Sequence, residues 1–294
     1  MAQNNQRERA LEVIRENIAC SGHHTYVVSA GGQTPRFAYT IGVSESIGVE
    51  LILAGAIFYM KDDLVTIINE ILAKMKAQPD CEVFEVDGQG SFTLREVHSS
   101  WAQELLLGAL DYYQKRDIRV LQIVPDKAHW TIDVPDMSAP WSAAEEPVWQ
   151  WLREPWKYPV PENSTATTNL SALRGNRITE AARWEVDEWE IFAGAGPDVP
   201  KDELRVVPLG TLLATDGSPA RVLNLEVGTG VWRDADSDWH PWRKKETSGG
   251  AGTDDQNQQP SVYYCLIHKS ETQLRLSSLR LFAQGRMEGR RAQE

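Results

Sequence analysis

Few positions in this chain of 294 residues pair residue types with a spacing that could do chemistry. The strongest is Trp184-Glu-Val-Asp-Glu-Trp-Glu190. Read as a strand, it sets Glu185, Asp187 and Trp189 on one face and Trp184, Val186, Glu188 and Glu190 on the other. Carboxylates beside a flat aromatic suit an Arg- or Lys-rich partner, through paired hydrogen bonds and cation–π contact. Trp184, Glu185, Asp187, Glu188 and Trp189 are therefore the candidate contact residues. Asp234, Asp236 and Asp238 are secondary ones. Their spacing copies the first half of a calcium loop, but Trp239 stands where that loop needs glycine and no closing Glu follows, so the segment reads as a solvated turn.

Other constellations fall short of a reaction. Cys20-Ser-Gly-His-His24 offers a thiol and two imidazoles but lacks a second ligand pair for zinc. Cys81 sits between Asp80 and Glu82, whose charge opposes a thiolate, so a Cys81–His98 nucleophile is disfavoured against a buried cysteine. Gly228-Thr-Gly230 lacks the third glycine of a dinucleotide loop, and no nucleophile elbow, metalloprotease helix or phosphate loop occurs. The chain is read as having no catalytic residue, no metal and no cofactor. The alternative is an enzyme or small-ligand domain in the N-terminal part, with the strand Phe37–Val43 lining a pocket. A cavity joining His23, His24 or Tyr39 to a carboxylate would mark it. A structural interaction module is a third class, marked by a broad exposed Trp patch.

Whole-chain composition bounds these readings. Of all residues 41% are hydrophobic and 24% charged, as in a soluble globular protein. No apolar run reaches the length of a membrane span, and the first ten residues are polar, unlike a secretory signal. The three cysteines, Cys20, Cys81 and Cys265, are too few and too scattered for a disulfide framework, so a cytoplasmic setting is expected. The formal charge of −12 divides into −8 over residues 1–160, −6 over 161–243 and +2 over 244–294. An acidic body repels nucleic acid and favours a protein partner with a basic surface. Ten of the eleven Trp residues follow residue 129; most are core material, with a minority available to an interface.

The elements that must position these residues read as α+β. Residues 5–20 carry apolar residues at helical spacing. Thr25–Ala30 and Arg36–Val43 flank a Gly-Gly-Gln-Thr-Pro turn as a hairpin, and Glu50–Ala56 reads as a strand buried on both faces. Leu64, Ile67, Ile68, Ile71, Leu72 and Met75 form one helical stripe. A second hairpin brackets Asp87-Gly88-Gln89-Gly90, a helix spans 101–114, and Ile118–Val124 is a core strand. Six prolines between Pro135 and Pro161 mark a boundary, with a short helix over 143–152. After it, Trp184–Phe192 reads as a strand, with further elements at Arg205–Leu213, Arg221–Val227 and Val262–Ile267. The expected division is an N-terminal domain over 1–138, a Trp/Pro-rich connector over 139–168 and a C-terminal domain over 169–294 with a flexible loop at 246–260. Each module is expected to be a mainly antiparallel sheet with helices packed on one face.

Three segments, Pro35-Arg-Phe-Ala-Tyr-Thr-Ile-Gly-Val43, Val49-Glu-Leu-Ile-Leu-Ala-Gly55 and Asp111-Tyr-Tyr113 with Val120-Leu-Gln-Ile-Val-Pro-Asp126, carry a resemblance. Through them residues 15–135 resemble the bacterial domain-of-unknown-function family numbered 4262, although His23-His24 stand where that family shows a Gly-Trp-like pair. Residues 165–242 look more loosely like the immunity-protein family 33 type, through Trp184–Gly194, Val207–Leu213 and the aromatic turn Gly228–Trp242. Together the two resemblances imply a bacterial, antitoxin-like binding protein that neutralises a toxin domain by occlusion.

Overall fold

Strand β3 (Glu50–Ala54) shows why the first module forms as it does: all five of its residues are buried. Ile52 and Ala54 face one cluster, with Phe37, Tyr39 and Ile41 of β2 (Phe37–Ile41). Leu51 and Leu53 face another, with Ala38. A strand with two buried faces needs a cover on each. In the computed structural model, which describes residues 2–242 apart from 116, 195, 197–198, 216–218 and 235–237, helices supply both covers. On one side lie α1 (Ala2–Ser21), α4 (Ser99–Leu105) and α5 (Leu107–Tyr113). On the other lies α3 (Lys61–Ala77), whose buried Leu64, Ile67, Ile68, Ile71 and Leu72 form the stripe expected of an amphipathic helix. A short α2 (Ser44–Ile47) precedes β3.

The first sheet also contains β1 (His24–Val28), β4 (Val83–Val86), β5 (Gly90–Glu96) and β6 (Val120–Pro125), in the order β1-β2-β3-β6-β5-β4. Its one parallel pair is β3–β6, and both hairpins expected from the sequence form. The helix expected over 101–114 breaks at Leu106 into α4 and α5. The break seats the Gly108 amide 3.1 Å from the Tyr39 hydroxyl, where a Cβ on residue 108 would lie 2.6 Å from that oxygen.

The second sheet has the order β10-β7-β9-β8-β11-β12, again with one parallel pair, β7–β9. Its strands are β7 (Thr165–Asn169), β8 (Glu180–Arg183), β9 (Glu188–Phe192), β10 (Leu204–Pro208), β11 (Thr229–Trp232) and β12 (His240–Pro241). Helices α6 (Leu170–Leu173) and α7 (Leu209–Thr215) supply Leu170, Leu209, Leu212 and Leu213 to a core shared with Ala166, Trp189, Ile191 and Val231. The chain is thus α+β with two mainly antiparallel sheets. It departs from the expected one-sided covering in the first sheet, where β3, buried on both faces, demands helices on each. The segment expected as a helix over 143–152 is a 3-10 helix, Pro147–Leu152, with Trp149 and Trp151 buried. The element expected at 205–213 is β10 followed at once by α7. The loop expected at 246–260 and the strand expected at Val262–Ile267 lie outside the described residues.

Both sheets belong to one compact unit, Met1–Lys245, and polar side chains stitch them together. Gln33, from the β1–β2 turn, donates to the Ser164 carbonyl at 3.0 Å and accepts from the Gly210 amide at 2.5 Å. The loop after β3 is held from both sides. Arg36 donates to the carbonyls of Ala56 (3.0 Å) and Tyr59, while Arg205 of β10 donates to those of Ile57 (2.9 Å) and Phe58 (2.5 Å). Asp133 accepts from the Ile57 amide at 3.1 Å and from the Thr131 hydroxyl at 2.6 Å. Full burial still pushes its carboxyl up from the ordinary range.

Asp126 closes the turn after β6. It accepts from the amides of Ser91 (2.9 Å) and Ala128 (2.8 Å), and the His129 ring nitrogen lies 2.8 Å away. Burial alone would raise this carboxyl, but the donors outweigh it and hold it at about 2. A folded value below the unfolded one gives stability that is complete above the unfolded value and lost as pH falls through the folded one. The window therefore runs from about 4 down to about 2. Asp126→Asn should lower stability at neutral pH and flatten its decline across that window. Urea midpoints measured at successive acidic pH values check this.

Candidate partner-binding site

The segment singled out for its carboxylates and tryptophans is not one strand. β8 ends at Arg183, residues 184–187 turn, and β9 begins at Glu188. The shared strand face expected for Glu185, Asp187 and Trp189 therefore does not form. Arg183 makes the turn: its guanidinium donates to the carbonyls of Glu185 (3.3 Å) and Val186 (2.8 Å). It reaches the Leu225 carbonyl at 3.1 Å and lies 5.2 Å over the Trp189 ring. The Gly228 amide in turn donates to the Arg183 carbonyl at 2.7 Å. One arginine thus pins two turns side by side, 184–187 and 225–228, at one end of the second sheet.

These two turns make a tip of definite chemistry. Glu185, Glu188 and Glu226 are exposed, and no ion pair joins them to any cation among the described residues. Between the carboxylates, Val186 is 57% and Val227 49% exposed. Asp187 is half-buried and accepts from the Asn163 carboxamide at 3.0 Å. Three unpaired carboxylates around two bare apolar side chains form a small surface that complements Arg- or Lys-bearing surfaces carrying an apolar contact. The sequence reading missed Glu226 and Val227. Their only signal was the turn-forming Gly228, read there as a nucleotide-loop fragment.

The remaining expected contact residues are placed elsewhere. Trp189 is buried in the second core at 2% exposure, which withdraws it from any surface role. Trp184 is half-buried and packs against Trp242, with ring centroids 6.0 Å apart. Trp242 itself covers Gly230, where a Cβ would lie 2.6 Å from the indole. Asp234 and Asp238 are exposed; Asp236 lies outside the described residues. Asp234 follows Trp232, which pairs with Glu180, whereas the tip lies beyond Thr229, which pairs with Arg183. Those strand ends are about 10 Å apart at the usual rise per residue, so the structure does not gather the aspartates with the tip.

The residues that carry the family-like signature converge on a single buried carboxylate. Glu50, 0% exposed, accepts from the Thr40 hydroxyl (2.5 Å), the Tyr113 hydroxyl (2.5 Å) and the amides of Gly42 (3.1 Å) and Ser44 (2.9 Å). Thr40 also accepts from the Leu51 amide at 2.9 Å. Burial first, and then Glu50, push the Tyr113 phenol well above its ordinary range. Out of reach of solvent and fully bonded, this hub fixes β2, β3 and α5 against one another. The sequence reading missed it, although a lone acid heading an apolar strand was the available signal.

His23 and His24 do not join Tyr39 or a carboxylate. The Tyr39 hydroxyl is bonded to Gly108 within the core. His23 meets the Asn69 side chain at 3.0 Å and His24 the Asn17 side chain at 2.9 Å, and both histidines line a groove of about 590 Å³. Among the described residues no three His, Cys, Asp or Glu side chains gather as a metal-holding group, and no helix is long and apolar enough to cross a membrane.

The class these features define is an α+β protein whose first sheet is locked by a buried glutamate and whose second sheet ends in an acidic tip. Residues 17–130 match the family described as Domain of unknown function (DUF4262), which covers the first sheet and the hub. This bears out the first resemblance; the match does not reach residues 165–242, where the immunity-protein likeness was read. No curated protein and no solved structure matches the chain.

Proposed function

We propose that this protein is a non-catalytic binder that seats a basic partner surface on the tip formed by Glu185, Glu188, Glu226, Val186 and Val227. The observation that carries the reading is the set of exposed carboxylates without cation partners among the described residues, arranged around two bare valines and pinned by Arg183. The formal charge of −12 adds long-range attraction for a basic partner and repulsion for nucleic acid. In this reading the partner is a toxin domain, neutralised by occlusion in a bacterial cytoplasm. Asp187 acts at the rim, and Asp234, Asp236 and Asp238 steer from a distance.

Co-expression with the toxic product of an adjacent gene tests the role. Wild-type protein should restore growth, and Glu185→Lys with Glu188→Lys should abolish rescue while leaving the melting temperature within a few degrees, because both side chains are exposed and unpaired. Absence of rescue by the wild type removes the role. Rescue that survives the double reversal removes the site.

A further inference from the structure

The groove beside β1 has a chemistry that the acidic tip does not explain. It runs between the C-terminal part of α1, the first residues of β1 and one stripe of α3. Its polar lining includes Asn17, His23, His24, Thr25, Asn69 and Lys76, over an apolar floor that includes Val65 and Leu72. In a chain with 42 acidic residues, no carboxylate among the described residues lines it. Its volume of about 590 Å³ is that of a small-molecule site.

The polar groups are also set in advance. Asn69 holds His23 and Asn17 holds His24, so each imidazole is fixed in rotation by a carboxamide from a different helix. Asn17 donates to His24 Nδ1, which leaves the His24 Nε2–H as a donor, whereas His23 Nε2–H donates to Asn69 Oδ1, so His23 offers an oxyanion a second donor, at Nδ1, as the imidazolium. The Thr25 hydroxyl oxygen is buried and has no hydrogen-bond partner among the described residues. Buried hydroxyls are ordinarily satisfied, and a ligand oxygen would satisfy this one. Lys76 supplies the cation and makes no ion pair among the described residues.

We propose that this groove binds a small organic molecule through an oxyanion, carboxylate or phosphate, held by Lys76, the two histidines and Thr25, with its apolar part on Val65 and Leu72. The site is distinct from the tip on the second sheet, and the two proposals stand or fall separately.

Histidine ring resonances of the full-length protein, followed by NMR during titration with succinate and with inorganic phosphate, test it. Saturable shifts confined to His23 and His24 are expected. Response to succinate alone assigns a carboxylate, and response to phosphate alone assigns a phosphate. Lys76→Glu, at an exposed position, should abolish the shifts. Thr25→Val, nearly isosteric and suited to a strand, should weaken binding about tenfold, the size of one hydrogen bond to a charged group. Absence of saturable shifts with both probes overturns the proposal, as does unchanged affinity in Lys76→Glu.

Discussion

Glu50→Ala is expected to lower stability by about 3–5 kcal/mol, from several buried donors left without an acceptor together with the cavity left behind. Removing the carboxylate leaves the Thr40 and Tyr113 hydroxyls and the Ser44 amide without their acceptor, and opens a cavity under α5. The Gly42 amide keeps one acceptor, the Tyr113 hydroxyl at 2.8 Å. Glu50→Gln should cost less, about 1–2 kcal/mol. Its carbonyl can replace Oε1 toward Gly42, Ser44 and Tyr113, while Thr40 can turn its lone pair to the new NH2. Against a typical total of about 5–15 kcal/mol, the alanine variant should melt far earlier or fail to accumulate folded. Urea denaturation of both variants checks the order. An alanine variant within about 1 kcal/mol of wild type would mean that the hub does not hold the sheet, since a buried network of this kind should cost several times that.

The second large effect is expected at Gly55, where the chain leaves β3 with φ +70. A Cβ there would lie 1.9 Å from the Asp133 carbonyl oxygen and 2.5 Å from its carbon, so backbone would have to move. The same loop receives Arg36 from the first sheet and Arg205 from the second, and displacing it disturbs both grips. Gly55→Ala should therefore cost about 3 kcal/mol or more, combining overpacking with left-handed strain. At this size that is a fall in melting temperature of roughly 6–12 °C. Gly194, also at positive φ but with no atom of the described residues within 4 Å of its Cβ position, is the control. Gly194→Ala carries the strain alone and should lose less than half as much.

The residues differ in how openly they announced their roles. The strand over 37–41 and the stripe on α3 were legible because period 2 and period 3.6 are local and their apolar residues are buried as the pattern requires. The Trp184–Asp187 turn was not legible. It contains no Gly, Pro or Asn, and its reversal depends on Arg183 reaching carbonyls on two separate turns. Trp189 looked like half of a surface pair because alternation alone cannot say which face is buried; the guanidinium stacked on it and the core beneath decide that. The stitching by Gln33 and Arg205 links positions more than 130 residues apart, beyond any local signal. The signature around Thr40, Gly42 and Glu50 was visible as a pattern, while its physical cause, four donors on one carboxylate, needed the fold.

The binding claim rests on charge at one end of the second sheet, so the sharpest measurement is the dissociation constant for the proposed partner domain, taken at two salt concentrations. Glu185→Lys with Glu188→Lys should weaken binding at least a hundredfold, about 2.7 kcal/mol at 1.36 kcal/mol per tenfold, and reduce its salt dependence. Asp234→Lys with Asp238→Lys, placed at the opposite end of β11, should change it by less than about tenfold, as expected for steering charges outside the contact. Equal losses from the two double reversals would contradict the account, because net charge rather than the pinned tip would then be what the partner reads.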